Sequence, residues 1–228
     1  MSRPAHQLAK ADGIARHGAA IPGDMRRRLR QATQRYHDRL DTSSLLAPLL
    51  LPDVDLAAYQ AAMIAMLRTY DRIDACLLQA PAVTHAAAGT ALAPYRPRSP
   101  AMQHDLRVMG IAPQPGVASA AAMLDMPATL PAYLGMRYVI EGSQFGNRVI
   151  GRNLQTAFGP RAQDICSAWL PADGTDNGWT SVMAALSALQ TRSEVAAALR
   201  GARQTFRYFV VNLCEPPGGL QAGRLSPA

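Results

Sequence analysis

Residues 138–150, YVIEGSQFGNRVI, decide how this chain is expected to fold. They belong to a longer stretch, from Pro131 to Phe158, whose apolar residues recur at helical spacing. These apolar residues are Leu134, Tyr138, Phe145, Val149 and Leu154. Gly159 and Pro160 follow, and this pair is typical of a helix end. The stretch therefore predicts one long helix with glycines in its interior.

Two of these glycines, Gly142 and Gly146, are separated by about one helical turn. An interior glycine costs a helix about 1 kcal/mol relative to alanine, so the pair needs a reason. Either the missing side chains allow a broad planar ligand to lie against the backbone, or they allow a second helix to approach closely. The pattern by itself favours close helix packing.

The composition of the whole chain indicates an all-α fold in one domain. Alanine, leucine and methionine dominate, whereas runs of β-branched and aromatic residues are scarce. The 228 residues suffice for one sizeable core, and no central linker divides them. We expect a helical domain at 24–215, between a disordered N-terminal extension at 1–23 and a disordered tail at 216–228.

Further helices are predicted from periodicity and capping residues. Asp24, Asp55 and Ser193 are the expected N-caps of three of them, and Gly110 is the expected end of a fourth. The predicted ranges are about 24–41, 55–78, a short helix ending near 109, 178–189 and 193–213.

His37 is the first candidate for chemistry, within residues 31–40, QATQRYHDRL. On a helical wheel it shares a side with Thr33 and Leu40, while Asp38 turns away. We therefore expect His37 to face inward, without a carboxylate partner on its own helix, which suits binding of a transition metal. The alternative is a core histidine bonded to a backbone carbonyl, and the pattern alone favours it.

Arg30 precedes His37 by two turns, which is about 10 Å along a helix axis. That span matches a heme from its iron to its propionate edge, and arginine can pair with a carboxylate through two hydrogen bonds. Arg30 is thus a candidate anchor if His37 binds iron. Alternatively, it belongs with residues 26–28 to a solvated basic end of the helix.

The charge of +7 comes almost wholly from arginine, because Lys10 is the only lysine. Such a balance suits an anionic partner, or it reflects solvated arginines only. The basic residues are scattered without a recognition motif, so we expect no nucleic-acid partner. The three cysteines have no CxxC spacing, which favours a reducing cytoplasm, and no uninterrupted apolar stretch predicts a membrane span.

Taken together, residues 31–40 and 138–150 resemble the proximal and distal helix motifs of bacterial, biliverdin-producing heme oxygenases of the bacteriophytochrome-associated type. The resemblance implies a single helical domain that binds heme b, with its iron, as both substrate and cofactor. It implies cleavage of heme with O₂ to biliverdin, ferrous iron and carbon monoxide. The electron donor would be a ferredoxin or an NADPH-dependent reductase, and a bacteriophytochrome that receives biliverdin is a candidate partner.

The resemblance also assigns roles to residues of this chain. His37 matches the proximal iron ligand, and the catalytic distal positions are Gly142, Ser143 and Gly146. Ser143 stands where several relatives carry an aspartate that orders water, and Asn147 stands where a second glycine is common. The remaining expected heme contacts are Arg30, Thr33, Tyr138, Arg152 and Phe206.

Three other functions come into consideration. A non-catalytic heme sensor or carrier of the same fold would keep His37 and lose productive oxygen activation, and Ser143 and Asn147 favour it. A di-iron oxygenase is disfavoured, because the chain has three glutamates and none is followed by histidine three residues later. A cysteine nucleophile would need an activated thiol near a histidine.

Overall fold

The computed structural model describes residues 25–80, 92–112, 124–169 and 177–214. Within these ranges the regular structure is entirely helical, which confirms the expected all-α class. Short 3₁₀ turns occupy Ala47–Leu50 and Gly159–Arg161. The α-helices are α1 Met25–Ser43, α2 Leu56–Gln79, α3 Ser99–Val108, α4 Leu130–Gly142, α5 Gln144–Phe158, α6 Ala162–Ile165, α7 Gly178–Ser187 and α8 Arg192–Cys214.

Several helix ends follow the local signals that the sequence predicted. The Asp55 carboxylate accepts a hydrogen bond from the Ala58 backbone N–H at 2.6 Å, so Asp55 caps α2. Gly159 ends α5 with a φ of 55°, and Gly110 follows α3 with a φ of 76°. Both values lie in the left-handed region that favours glycine. Asp24 and the two expected disordered ends lie outside the described residues.

The predicted single helix from Pro131 to Phe158 is wrong, because the structure divides it at Ser143 into α4 and α5. Two local features favour an interruption here. Gly142 is a poor helix former, and the Ser143 hydroxyl donates a hydrogen bond to the Ile140 carbonyl at 2.8 Å. The chain still turns helically through the junction, since the Asn147 N–H bonds to the Ser143 carbonyl at 2.9 Å.

The predicted cap of the last helix, Ser193, is also wrong. Helix α8 begins at Arg192 after Thr191, whose hydroxyl accepts from the Glu194 N–H at 3.2 Å. The Glu194 carboxylate in turn accepts from the Thr191 N–H at 2.8 Å. This reciprocal pair is a capping box, and it satisfies two otherwise unpaired donors at the helix start.

Helix α8 packs against the helices that carry His37 and Gly142. Helix α4 packs along it most extensively, and α1 packs against it as well. Gly135 of α4 faces the Ala198 backbone, and Gly201 of α8 faces the Ala132 backbone. A β-carbon at either glycine would overlap a carbonyl oxygen, so only glycine allows the two helices to cross this closely. The histidine-bearing and glycine-bearing helices are thereby fixed to one support.

The core is continuous through the helices, with Leu29, Tyr59 and Ile140 among its fully buried members. Burial of such side chains contributes about 1.5–3 kcal/mol each and dominates the stability of a helical domain. None of the helices in the described part of the chain is both long and apolar enough to cross a membrane.

Candidate functional site

His37 is not oriented as the helical wheel predicted. Its side chain is 59% exposed, and its Nδ1 lies 2.9 Å from Oδ2 of Asp41 on the same helix. The core-facing residues of α1 are Met25, Leu29, Thr33 and Leu40. His37 lies outside that stripe, where a carboxylate four residues later can reach it. The expectation of an inward histidine without a carboxylate partner on its own helix is therefore wrong.

The contact with Asp41 nevertheless suits His37 to bind a metal. When Nδ1–H donates to the carboxylate, Nε2 carries the lone pair of the neutral ring, and the ring orientation is held. A carboxylate that bonds the second ring nitrogen in this way is usual for histidine ligands of metals. The ring also neighbours Phe206 of α8, with the centroids 6.1 Å apart. The structure thus brings together His37 and Phe206, two of the predicted site residues.

Arg30 and Thr33, the other predicted contacts on α1, differ in exposure. Arg30 is exposed, as His37 is. Thr33 is buried, and its hydroxyl donates to the Leu29 carbonyl at 2.9 Å. The hydroxyl proton of Thr33 is therefore used within the helix, whereas the Arg30 guanidinium is accessible to an anionic group.

The surroundings of Gly142 and Gly146 separate the two explanations offered for this pair. Among the described residues, no atom outside the local helix would lie within 4 Å of a β-carbon at Gly146. A β-carbon at Gly142 would lie 3.2 Å from Cζ3 of Trp179, a side chain and not the backbone of a packed helix. Close helix packing therefore does not explain Gly146, whereas Gly142 lies against the Trp179 ring of α7. Gly146 is exposed, and its backbone is accessible to a flat ligand.

An aromatic cluster adjoins Gly142, and the sequence reasoning missed its centre, Trp179. The Trp179 ring lies 5.5 Å from that of Tyr138 and 5.5 Å from that of Phe145, measured between centroids. The Arg26 guanidinium lies 5.9 Å from the same ring. Predicted contact Tyr138 is thus part of an aromatic wall beside the glycine segment. Trp179 begins a helix far along the chain, so no local pattern linked it to Gly142.

Ser143, at the junction of α4 and α5, has its hydroxyl engaged by the protein. Its proton goes to the Ile140 carbonyl at 2.8 Å, and the Tyr70 phenol lies beside the hydroxyl. Burial raises the pKa of Tyr70 above its usual range, so the phenol stays protonated. Tyr70 was not predicted, because its 73-residue separation from Ser143 leaves no local signal.

A buried charged cluster supports the end of α4, and it too was missed. Glu141 accepts from Arg137 Nε at 2.8 Å and from Arg98 at 3.2 Å. Its carboxylate also accepts from the side-chain amide of Gln144 at 3.1 Å. The four-residue spacing of Arg137 and Glu141 could have indicated a pair, but it gave no sign that the pair is buried.

The last two positions of interest lie on α5. Arg152 is exposed, and its Nε donates to the Arg148 carbonyl at 3.3 Å. Asn147 is half-buried beside Gly146. Both residues are on the same helix as Gly146, although the contacts do not join either of them to His37.

The alternative of a cysteine nucleophile finds no support in the electrostatics of the buried thiols. Burial raises the pKa of Cys166 to about 11 and also raises the pKa of Cys76. Both thiols therefore stay protonated near neutral pH, whereas a nucleophilic cysteine requires the thiolate.

The architecture defines the class to which the chain belongs structurally: it has the all-helical fold of heme oxygenases. The heme oxygenase of Neisseria meningitidis, solved with bound NO and CO, superposes with a TM-score of 0.65. The match covers 88% of this chain and 95% of that protein at 22% sequence identity.

The sequence is similar to a curated protein named heme oxygenase from Xanthomonas campestris pv. campestris. The two are 39% identical over 116 residues, which is 50% of this chain and 66% of the relative. The match thus spans just under two thirds of that protein. No protein-family model matches the chain.

Proposed function

We propose that this protein is a heme oxygenase, which cleaves heme with O₂ and electrons to biliverdin, ferrous iron and carbon monoxide. The observation that carries the proposal is the combination of two features, His37 on α1, which packs against α8, and Gly146 on α5, which directly follows α4. His37 has Nδ1 bonded to Asp41 and Nε2 available, and Gly146 exposes bare backbone. The fold and the similar relative support the same activity.

In the proposed complex, His37 Nε2 would hold the heme iron, and the backbone at Gly142 and Gly146 would lie against the macrocycle. The exposed guanidinium of Arg30 pairs with a propionate, and Arg152 is the second basic candidate. The remaining contacts to the macrocycle come from Thr33, Tyr138 and Phe206. Phe206 is the best supported of these, because its ring already neighbours His37.

Bound heme supplies the redox chemistry and is itself the carbon skeleton that is oxidised, through three rounds of oxygenation. His37 would supply a neutral nitrogen ligand, which, unlike a thiolate, does not push electron density toward O–O cleavage. The residues of this chain orient the heme, limit the space above it at Gly142–Gly146, and provide hydrogen bonds near Ser143.

The electron donor is proposed to be a ferredoxin or an NADPH-dependent reductase. The charge of +7 and the exposed arginines of α1, α5 and α8 suit an acidic protein of this kind. A bacteriophytochrome is proposed as a recipient of biliverdin, and the cytoplasm as the location. The resemblance of the two helix motifs supports the recipient, and the three cysteines without CxxC spacing support the location.

A non-catalytic heme sensor or carrier is the second candidate, and one observation favours it. The Ser143 hydroxyl donates its proton to the Ile140 carbonyl, so this position supplies no acidic side chain to organise water. A carrier would form a stable complex with O₂ when its heme is reduced in air. An oxygenase would instead lose its Soret band and gain bilin absorbance.

The decisive experiment compares wild-type protein, His37→Ala and the control His104→Ala after reconstitution with hemin. His104 is an exposed histidine on α3, away from the candidate site. We expect wild type and His104→Ala to show a histidine-ligated spectrum and to degrade heme when reduced in air, because Nε2 of His37 holds the iron. His37→Ala should lose both properties. A histidine-ligated spectrum in His37→Ala would contradict the assignment, and a stable wild-type complex with O₂ would favour the carrier.

A further inference from the structure

We propose that Glu141 is a positioning residue that fixes the angle between α4 and α5, and with it the height of the Gly142–Gly146 segment over the heme. This inference rests on the proposed function. Glu141 touches no substrate; it would act through the backbone of its neighbours.

The position of Glu141 is the first argument. It is the penultimate residue of α4, and it is only 2% exposed. Its carboxylate accepts from Arg137 on α4, from the side-chain amide of Gln144 at the start of α5, and from Arg98 next to α3. One side chain therefore ties together three helices at the point where the chain is interrupted.

The rigidity of the anchor is the second argument. Arg137 is 1% exposed, and besides Glu141 it donates to the Tyr133 hydroxyl at 3.1 Å and to the Ala93 carbonyl at 3.2 Å. Its guanidinium also lies over the Tyr95 ring, 5.2 Å from the centroid. A cation held by this many partners has one geometry, and the carboxylate that pairs with it is held as well. The bond from Glu141 to Gln144 transmits that geometry across the junction.

The consequence for the site follows from helix geometry. Gly146 lies three residues beyond Ser143, or about 4.5 Å along α5. A change of about 10° in the angle between the helices would move Gly146 by about 0.8 Å, on the scale at which misplacement of a reacting centre costs rate. A small change in the angle that Glu141 fixes would therefore be enough to affect the chemistry beside Gly146.

The test uses Glu141→Gln and the milder Gln144→Ala, which removes only the bond across the junction. Asp105→Asn is the matched control, because Asp105 is also a buried helical carboxylate that accepts from three donors, at Ser167 and Ala168. The first readout is hydrogen exchange of the peptide 139–147 in protein without heme. The second is the pH at which the optical spectrum of the ferric heme complex changes.

We expect both test variants to exchange peptide 139–147 on the order of tenfold faster, because the junction opens more often. Both should also shift the pH midpoint of the ferric spectrum, which Asp105→Asn should leave unchanged even if it lowers stability. Gln144→Ala keeps the test valid if Glu141→Gln fails to fold. The proposal would be overturned if the folded variants exchanged peptide 139–147 at the wild-type rate and kept the wild-type pH midpoint of the ferric spectrum. If wild-type protein fails to bind heme, the proposed function fails, and the exchange comparison alone decides whether Glu141 holds the junction.

Discussion

Two pairs of glycines in this molecule have different structural roles. Gly135 and Gly201 lie at the crossing of α4 and α8, where a β-carbon on either would overlap the backbone of the other helix. Gly142 and Gly146 are close in sequence to Gly135 but face a tryptophan ring and open space, respectively. The first pair allows two helices to pack, whereas in the second pair Gly142 lies against Trp179 and Gly146 leaves a bare backbone. The same residue type thus supports the fold at one end of α4 and the candidate site at the other.

The sequence pattern favoured close helix packing as the reason for Gly142 and Gly146. The structure shows such packing at the other pair, Gly135 and Gly201. Close helix approach does occur in this region, but at Gly135; at Gly151 a β-carbon would lie 2.8 Å from the carbonyl oxygen of Trp169, in the turn after α6. Which glycine meets a neighbouring helix depends on where that helix lies. The local pattern contains no such information.

The largest expected effect is on the packed pair. Gly135→Ala should lower the free energy of unfolding by about 3 kcal/mol, because the added methyl group meets the backbone of Ala198 and cannot be accommodated by a side-chain movement. Gly146→Ala should be neutral or stabilising by up to about 1 kcal/mol, since alanine is the better helix former and nothing opposes it. Urea denaturation of both variants measures the contrast. If Gly135→Ala and Gly146→Ala had equal free energies of unfolding, the two pairs would not differ in how closely they pack.

A smaller effect, on binding, is expected at the open pair. Gly146→Leu should weaken hemin binding at least tenfold, or about 1.4 kcal/mol, because the side chain would occupy the space proposed for the macrocycle. Its free energy of unfolding should change by less than about 1 kcal/mol, since no described neighbour is displaced. Ala157→Leu is the control, because Ala157 is also exposed on α5. Wild-type hemin affinity in Gly146→Leu would show that this glycine does not seat the ligand.

The smallest effect is expected at Ser143, which lies between the two glycines of the open pair. Ser143→Ala should slow single-turnover formation of biliverdin by no more than about tenfold, because one neutral hydrogen bond is worth about 0.5–1.5 kcal/mol. Tyr70→Phe removes the phenol oxygen beside the Ser143 hydroxyl, so the double variant should be little slower than either single variant. A loss beyond a hundredfold with preserved heme affinity would mean that Ser143 is essential, contrary to this account.

Much of the fold was accessible from local sequence signals. The helical class, the Asp55 cap and the glycine end of α5 each depend on residues a few positions apart, and each is confirmed. The break at Ser143 was missed because it combines a glycine, a serine that bonds to its own helix, and the buried Glu141. Periodicity continues through such a junction, so a pattern of apolar residues does not reveal it.

The candidate site divides in the same way. The sequence by itself determined which residue types are available: a histidine with an aspartate four residues later, and glycines one turn apart in a helix. Only the tertiary structure decided that His37 is exposed, that Phe206 neighbours it, and that Trp179 lies against Gly142. Contacts within one helix repeat every three or four residues and can be inferred from spacing. Contacts between helices depend on how distant segments pack, and no short stretch of sequence encodes that packing.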